Sequence, residues 1–301
     1  MSTKTEEMIM ATCDIALTAP NQSVEADNGV SYAYRRFGTS PSGVLPLVML
    51  QHFRGNLDDW DPLLLGALAS DREVITVDNA GIGLSSGTVP RTITEMARDI
   101  IAFTDALGLP RIDLLGFSIG GMIAQELTLL RPQLVRRLVL AGTGPQSGEL
   151  MHGWINDVAA LANVAHNRPE DLLPLFFEIT PTSQQEGREF LRRCAAREDG
   201  RDKPAGLQAR DAQFDAITEW GISAPSRLSR LAGITQPVLI AAGDNDIMIP
   251  TPNAWLMARH LPNARVRIYP DSGHGFLFQW PEQFAELVHS FLSGAGEERA
   301  A

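Results

Sequence analysis

Three polar residues far apart in the chain, Ser118, Asp246 and His274, stand in local settings suited to one piece of proton chemistry. Ser118 is the centre of Gly116-Phe117-Ser118-Ile119-Gly120, which follows the apolar run Ile112-Asp113-Leu114-Leu115 and opens an apolar-patterned stretch over 122–130. Strand, tight turn and helix in that succession make a nucleophile elbow. The serine is held in a strained backbone conformation, and glycines two positions either side let strand and helix approach without Cβ clashes. By itself Ser118 reads equally well as a helix N-cap. The functional reading needs a base to take the serine proton and an acid to orient that base, and both are present downstream.

The acid lies in the segment 237–250, an apolar strand, Val238-Leu239-Ile240-Ala241-Ala242, that ends in Gly243-Asp244-Asn245-Asp246 before Ile249-Pro250. Asp246 is the expected acid, and Asp244, directly after Gly243, is expected to cap a turn through its own backbone. The base is His274 in Ser272-Gly273-His274-Gly275-Phe276, a loop position between glycines that leaves the ring freely aimed. A neutral imidazole accepts the Ser118 proton at one nitrogen while Asp246 holds the other N–H. Acyl transfer also builds negative charge on the carbonyl oxygen, which backbone N–H groups must meet. The run Leu47-Val48-Met49-Leu50 leads into Gln51-His52-Phe53-Arg54-Gly55-Asn56, and the two donors are assigned to Ile119 and Arg54, with Phe53 as the alternative to Arg54.

These four segments, His52-Phe53-Arg54-Gly55, Gly116 to Gly120, Gly243 to Pro250 and Gly273-His274-Gly275, come in the order of the α/β-hydrolase superfamily. Over about 24–293 the chain resembles its serine-nucleophile group with a helical cap, similar to esterases, enol-lactone hydrolases and cofactor-free haloperoxidase-like perhydrolases. The resemblance implies cleavage of a small apolar carboxylic ester or lactone by a Ser-His-Asp triad through an acyl-enzyme, with no cofactor and no metal. Perhydrolysis and carbon–carbon bond hydrolysis need no further residue and stay open. So does a small-molecule receptor with slow turnover. Dehalogenase and epoxide-hydrolase chemistry need a carboxylate where this chain has Ser118. Two positions depart from the family pattern. Phe53 stands where Gly usually follows the loop histidine, and Ala80 in Asp78-Asn79-Ala80-Gly81-Ile82-Gly83 replaces the Arg that usually pins that turn.

The elements that must position these residues alternate. Strands are predicted at 23–26, 30–36, 47–51, 73–78, 112–115, 135–141, 238–242 and 266–269, the first two joined by Asp27-Asn28-Gly29, a hairpin signal. Helices fall near 59–68, 93–107, 122–130, 253–260 and 282–291. Thr92 and Glu95 form a capping box before the second of these, and Gly108 and Pro110 stop it. The pattern predicts an α/β fold with a mainly parallel eight-stranded sheet covered by helices on both faces. Every candidate group lies at the C-terminal end of a predicted strand, where such sheets form crevices.

The core is read as 23–143 and 229–293, with 144–228, helical and strand-poor, inserted as a cap. Residues 1–22 read as a flexible arm and 294–301 as a tail. The pocket is expected to draw on Phe53, Phe117, Trp154, Phe176, Phe177, Trp220 and Phe276, an apolar lining that excludes water and selects apolar groups. Arg54 is read as an exposed loop arginine and His52 as a residue that orients the loop. His152, His166, His260 and His289 lack metal-ligand spacing.

With 301 residues the chain suits one α/β domain with an insertion. A net charge of −11 opposes nucleic-acid backbones and anionic lipid as partners. Cys13 and Cys194 form no disulfide framework, acidic residues interrupt any signal-peptide core, and no run approaches transmembrane length. The expectation is a soluble cytoplasmic protein, with homo-oligomerisation open.

Overall fold

A computed structural model describes residues 3–154, 156–165 and 168–294. One sheet has the order β1-β2-β4-β3-β5-β6-β7-β8. Its strands are β1 (Gln22–Glu25), β2 (Ser31–Gly38), β3 (Leu47–Leu50), β4 (Glu73–Val77), β5 (Ile112–Phe117), β6 (Val135–Ala141), β7 (Val238–Gly243) and β8 (Ala264–Tyr269). Strand β2 pairs antiparallel with β1 and β4, and the remaining pairs are parallel. The first turn is the Asn-Gly turn, with Gly29 at φ 78°.

The helices are α1 (Thr3–Leu17), α2 (Pro62–Leu68), α3 (Ile93–Ala106), α4 (Ile119–Leu130), α5 (Asn156–Ala162), α6 (Leu173–Phe176), α7 (Pro181–Cys194), α8 (Leu207–Gly221), α9 (Pro252–His260), α10 (Phe276–Gln279) and α11 (Pro281–Leu292). Every residue of β3, β5 and β7 is buried, the mark of strands covered on both faces. Thr92 caps α3 as the sequence predicts, accepting from the Glu95 N–H while its hydroxyl donates to the Glu95 carboxylate at 2.8 Å. Helix α2 starts at Pro62, later than the predicted 59, because Asp61 is its N-cap and Pro62 has no N–H to satisfy.

The expectation of a flexible arm over 1–22 is corrected, since residues 3–17 form α1, which packs on α2. Among its described side chains the buried ones are small, Cys13 and Ala16, and a Cβ on Gly66 of α2 would fall on the Thr12 carbonyl. Close backbone approach seats this helix on α2, and the side chains buried beneath it that are described are small. Residues 295–301 of the expected tail and His166 lie outside the described residues. Helices α5–α8 all fall between β6 and β7, as one helical insertion.

Candidate active site

Ser118 joins β5 to α4 at φ 58° and ψ −122°, a conformation that costs an L-residue on the order of 1–3 kcal/mol. Two close approaches impose this turn. A Cβ on Gly116 would fall on the Gly120 carbonyl, and one on Gly120 would fall on the Leu50 carbonyl at the end of β3. The turn is locked to the sheet by the Ser118 N–H, which donates to the Ala141 carbonyl at 2.9 Å.

Asp246 and His274 meet at 2.7 Å between Oδ2 and Nδ1. The carboxylate can only accept, so Nδ1 carries the proton and Nε2 presents its lone pair. The other carboxylate oxygen of Asp246 accepts the N–H groups of Met248 and Ile249 at 2.8 and 2.9 Å, which fixes its orientation. Asp244 is committed elsewhere. Its carboxylate accepts the N–H groups of Asp271 and Ser272 at 3.2 and 3.0 Å and so anchors the loop that carries His274.

The glycines beside His274 serve clearance, not freedom. Phe176 of α6 packs its backbone against Gly273 and Gly275, and its carbonyl accepts the Gly275 N–H at 2.7 Å. The ring itself is fully buried, tilted over Phe117 with centroids 5.0 Å apart and edge-on to Phe176.

Ser118 and His274 line one small cavity of about 20 Å³, together with His52, Phe53, Ala162, Leu175, Phe176 and Met248. That is room for roughly one water molecule. His52 and Phe53 also border a larger cavity of about 730 Å³ that continues past Arg54, Leu172, Phe190 and Cys194. His52 and Phe53 therefore form the wall between the two.

The expectation for Arg54 is corrected. Its N–H donates to Gln213 Oε1 of α8 at 2.7 Å, and its φ of 65° turns the loop at this residue. The N–H groups of Phe53 and Ile119 have no acceptor among the described residues, and Phe53, not Arg54, lines the Ser118 cavity. The Arg54 guanidinium is not exposed either, since it donates to the carbonyls of Val164 and Ala165 within the insertion at 2.7 and 3.4 Å.

Of the aromatic residues expected in the pocket, Phe53 and Phe176 line it. Phe117 lies behind, packed on His52, Phe176 and Phe278. Trp154 packs edge-on to Phe53 one layer out and donates its indole N–H to the Met248 carbonyl. Phe177 turns to Phe190, Trp220 donates to the Gly144 carbonyl, and Phe276 stacks on Tyr269 in the core, so these three are corrected to packing roles. Ala162, Leu175 and Met248 complete the lining without any local signal that separates them from core residues. Among the described residues no group of three or more His, Cys, Asp or Glu side chains is placed to hold a metal ion. No described helix is long and apolar enough to cross a membrane.

Sheet order, strained serine turn and the Asp–His pair at the strand ends are the features of one fold family. The chain belongs to the alpha/beta hydrolase fold family, whose model matches residues 46–281, and it is a hydrolase. Among solved structures it is similar to an alpha/beta hydrolase fold protein from Chitinophaga pinensis, at 38% identity and a TM-score of 0.86, with 92% of this chain and 98% of that one covered. It is also similar to Est816, described as an N-acyl homoserine lactone degrading enzyme, at 30% identity and a TM-score of 0.68 over 90% and 100% of the two chains. A protein provisionally named carbamate hydrolase RutD from Azorhizobium caulinodans is 29% identical over 252 residues, covering 82% of this chain and 90% of its own length.

Proposed function

We propose that this hydrolase cleaves a carboxylic ester or lactone with an apolar acyl or ring group through an acyl-enzyme on Ser118. One observation carries the reading: His274, with Nδ1 bonded to Asp246 at 2.7 Å and Nε2 without a partner, shares a small cavity with a serine held at φ 58°. Ser118 Oγ attacks the carbonyl carbon while His274 Nε2 takes its proton. The resulting oxyanion accepts the N–H groups of Phe53 and Ile119, each worth about 3 kcal/mol in the transition state. Collapse expels the alkoxide, which takes the proton back from Nε2. Water then attacks the acyl-enzyme with Nε2 as base, and as the second tetrahedral intermediate collapses Nε2 returns that proton to Ser118 Oγ and the carboxylic acid leaves. Asp246 stays ionised throughout and stabilises the imidazolium.

The helical insertion acts as the cap, and the apolar walls from Phe53, Ala162, Leu175, Phe176 and Met248 favour an apolar group beside the carbonyl. The names of Est816 and of the carbamate hydrolase support attack on an acyl carbonyl that bears a heteroatom leaving group. Ser118→Ala is expected to lower kcat on 4-nitrophenyl butyrate by at least about 10³-fold with the fold intact by circular dichroism. Wild-type turnover in that variant would overturn the reading.

A further inference from the structure

His52 belongs to the wall of the Ser118–His274 cavity and also borders the larger cavity beyond it. Its ring is fixed from three sides. Nδ1 lies 2.9 Å from the Phe53 carbonyl, and the edges of Phe117 and Phe176 pack against the ring at centroid distances of 5.5 and 5.1 Å. A carbonyl cannot donate, so Nδ1 carries the proton and Nε2 is a bare acceptor. That atom is buried and has no hydrogen-bond partner. Among buried polar atoms in this condition, His52 Nε2 and His274 Nε2 are the two that belong to residues lining this cavity. His274 Nε2 has a use in the proposed reaction. His52 Nε2 has none, and a buried acceptor without a donor costs stability.

Burial pushes the His52 ring down to about 4, opposed by the Phe53 carbonyl bond and helped by the neighbouring His274. At neutral pH it is therefore a poor base, and its lone pair is available to a ligand. His52 lines the same cavity as Ser118, His274 and Phe53, whose N–H is the proposed oxyanion donor, so the substrate carbonyl would sit in a cavity that His52 helps to form.

We propose that His52 determines specificity by accepting a hydrogen bond from a hydroxyl or amide N–H on the carbon beside the scissile carbonyl. The preferred substrates are then 2-hydroxyacyl or 2-amidoacyl esters and lactones, apolar apart from that one donor. This rests on the ester or lactone reading above. A site with a buried acceptor discriminates strongly against a substrate that leaves it unpaired, whereas one methyl more or less in an apolar pocket discriminates weakly.

The test compares phenyl 2-hydroxybutyrate with phenyl 2-methylbutyrate, a matched pair in which a hydroxyl replaces a methyl, and adds phenyl 2-methoxybutyrate, which has the oxygen without the donor. In the wild type, kcat/KM for the hydroxy ester is expected to exceed both others by about tenfold or more. His52→Leu should bring that ratio close to one, and His52→Gln, which keeps an acceptor oxygen, should restore part of it. A wild-type ratio near one, equal preference for the methoxy ester, or an unchanged ratio in His52→Leu overturns the assignment. The wild-type comparison decides even if His52→Leu fails to fold. Failure of the underlying reading has a different signature: turnover that survives Ser118→Ala, or no turnover of any ester.

Discussion

At the scale of single residues, each candidate in the site is distinguished by what its second polar atom does. Asp244 and Asp246 stand two positions apart, but one carboxylate holds backbone N–H groups of the His274 loop and the other holds the ring. The two histidines of the cavity are both fixed as Nδ1–H tautomers, one by a carboxylate and one by a carbonyl. The difference makes His274 suited to carry positive charge and His52 unsuited to it. This predicts a pH effect. An unfolded His52 titrates near 6.5, the folded one near 4, so between those values the unfolded chain takes up a proton that the native ring refuses. His52 therefore costs native stability as pH falls through this window, up to about 3 kcal/mol at the lower end. Asp59, pushed up to about 6 mainly by burial, acts in the opposite sense over part of the same range, so the effect must be read against a variant. Urea unfolding of the wild type and His52→Gln at pH 7 and pH 4 should show the wild type losing ground by that amount. Parallel losses would mean that the folded ring titrates normally.

At the scale of elements, the site depends on close approaches that only small residues permit. Strand β5 and helix α4 meet through Gly116 and Gly120, and the insertion reaches His274 because Gly273 and Gly275 leave room for the Phe176 backbone. The seat of α1 is of the same kind. Gly66 sits inside α2, where alanine is ordinarily better than glycine by about 1 kcal/mol. With the Thr12 carbonyl where its Cβ would go, Gly66→Ala should instead destabilise by about 1–3 kcal/mol, lowering the melting temperature by several degrees. A rise in melting temperature would show that α1 does not pack there in solution.

At the scale of the whole molecule, the helical insertion is fastened to the core by buried charge. Arg193 of α7 makes a two-point ion pair with Asp61, Nε to Oδ1 at 2.9 Å and Nη2 to Oδ2 at 2.6 Å, and both side chains are nearly inaccessible. Asp61 is at the same time the N-cap of α2, so one carboxylate ties the insertion to the core. Arg197 adds bonds to the carbonyls of Leu17, the last residue of α1, and of Ala19 just after it. Arg193→Met leaves Asp61 as a buried charge without its partner and is expected to cost about 3–5 kcal/mol by denaturant unfolding. Asp61→Asn combined with Arg193→Met should recover part of that loss, because the amide still caps α2 and carries no charge. A double variant no more stable than the single one would show that packing of the Arg193 stem, not charge, is what matters.

What the amino-acid sequence determines by itself is whatever is coded over a few neighbouring residues. Strand and helix alternation, the Thr92 capping box, the Asn28-Gly29 turn, and the elbow around Ser118 depend on local backbone chemistry and are legible one segment at a time. The choice of Asp246 over Asp244 rests on the same kind of signal. The proposed oxyanion donor is different. That the Arg54 N–H is taken, which leaves the Phe53 N–H for that role, depends on a hydrogen bond to Gln213, 159 positions along the chain, and on a positive φ at a non-glycine residue that no local pattern announces. The pocket lining was hidden for a related reason. Phe176, Phe177, Trp220 and Phe276 are equally apolar, and only the packing of the insertion on the sheet decides which of them faces a cavity and which fills the core. Burial is a property of the assembled layers, so residue type alone carries no information about which side of a buried wall is open.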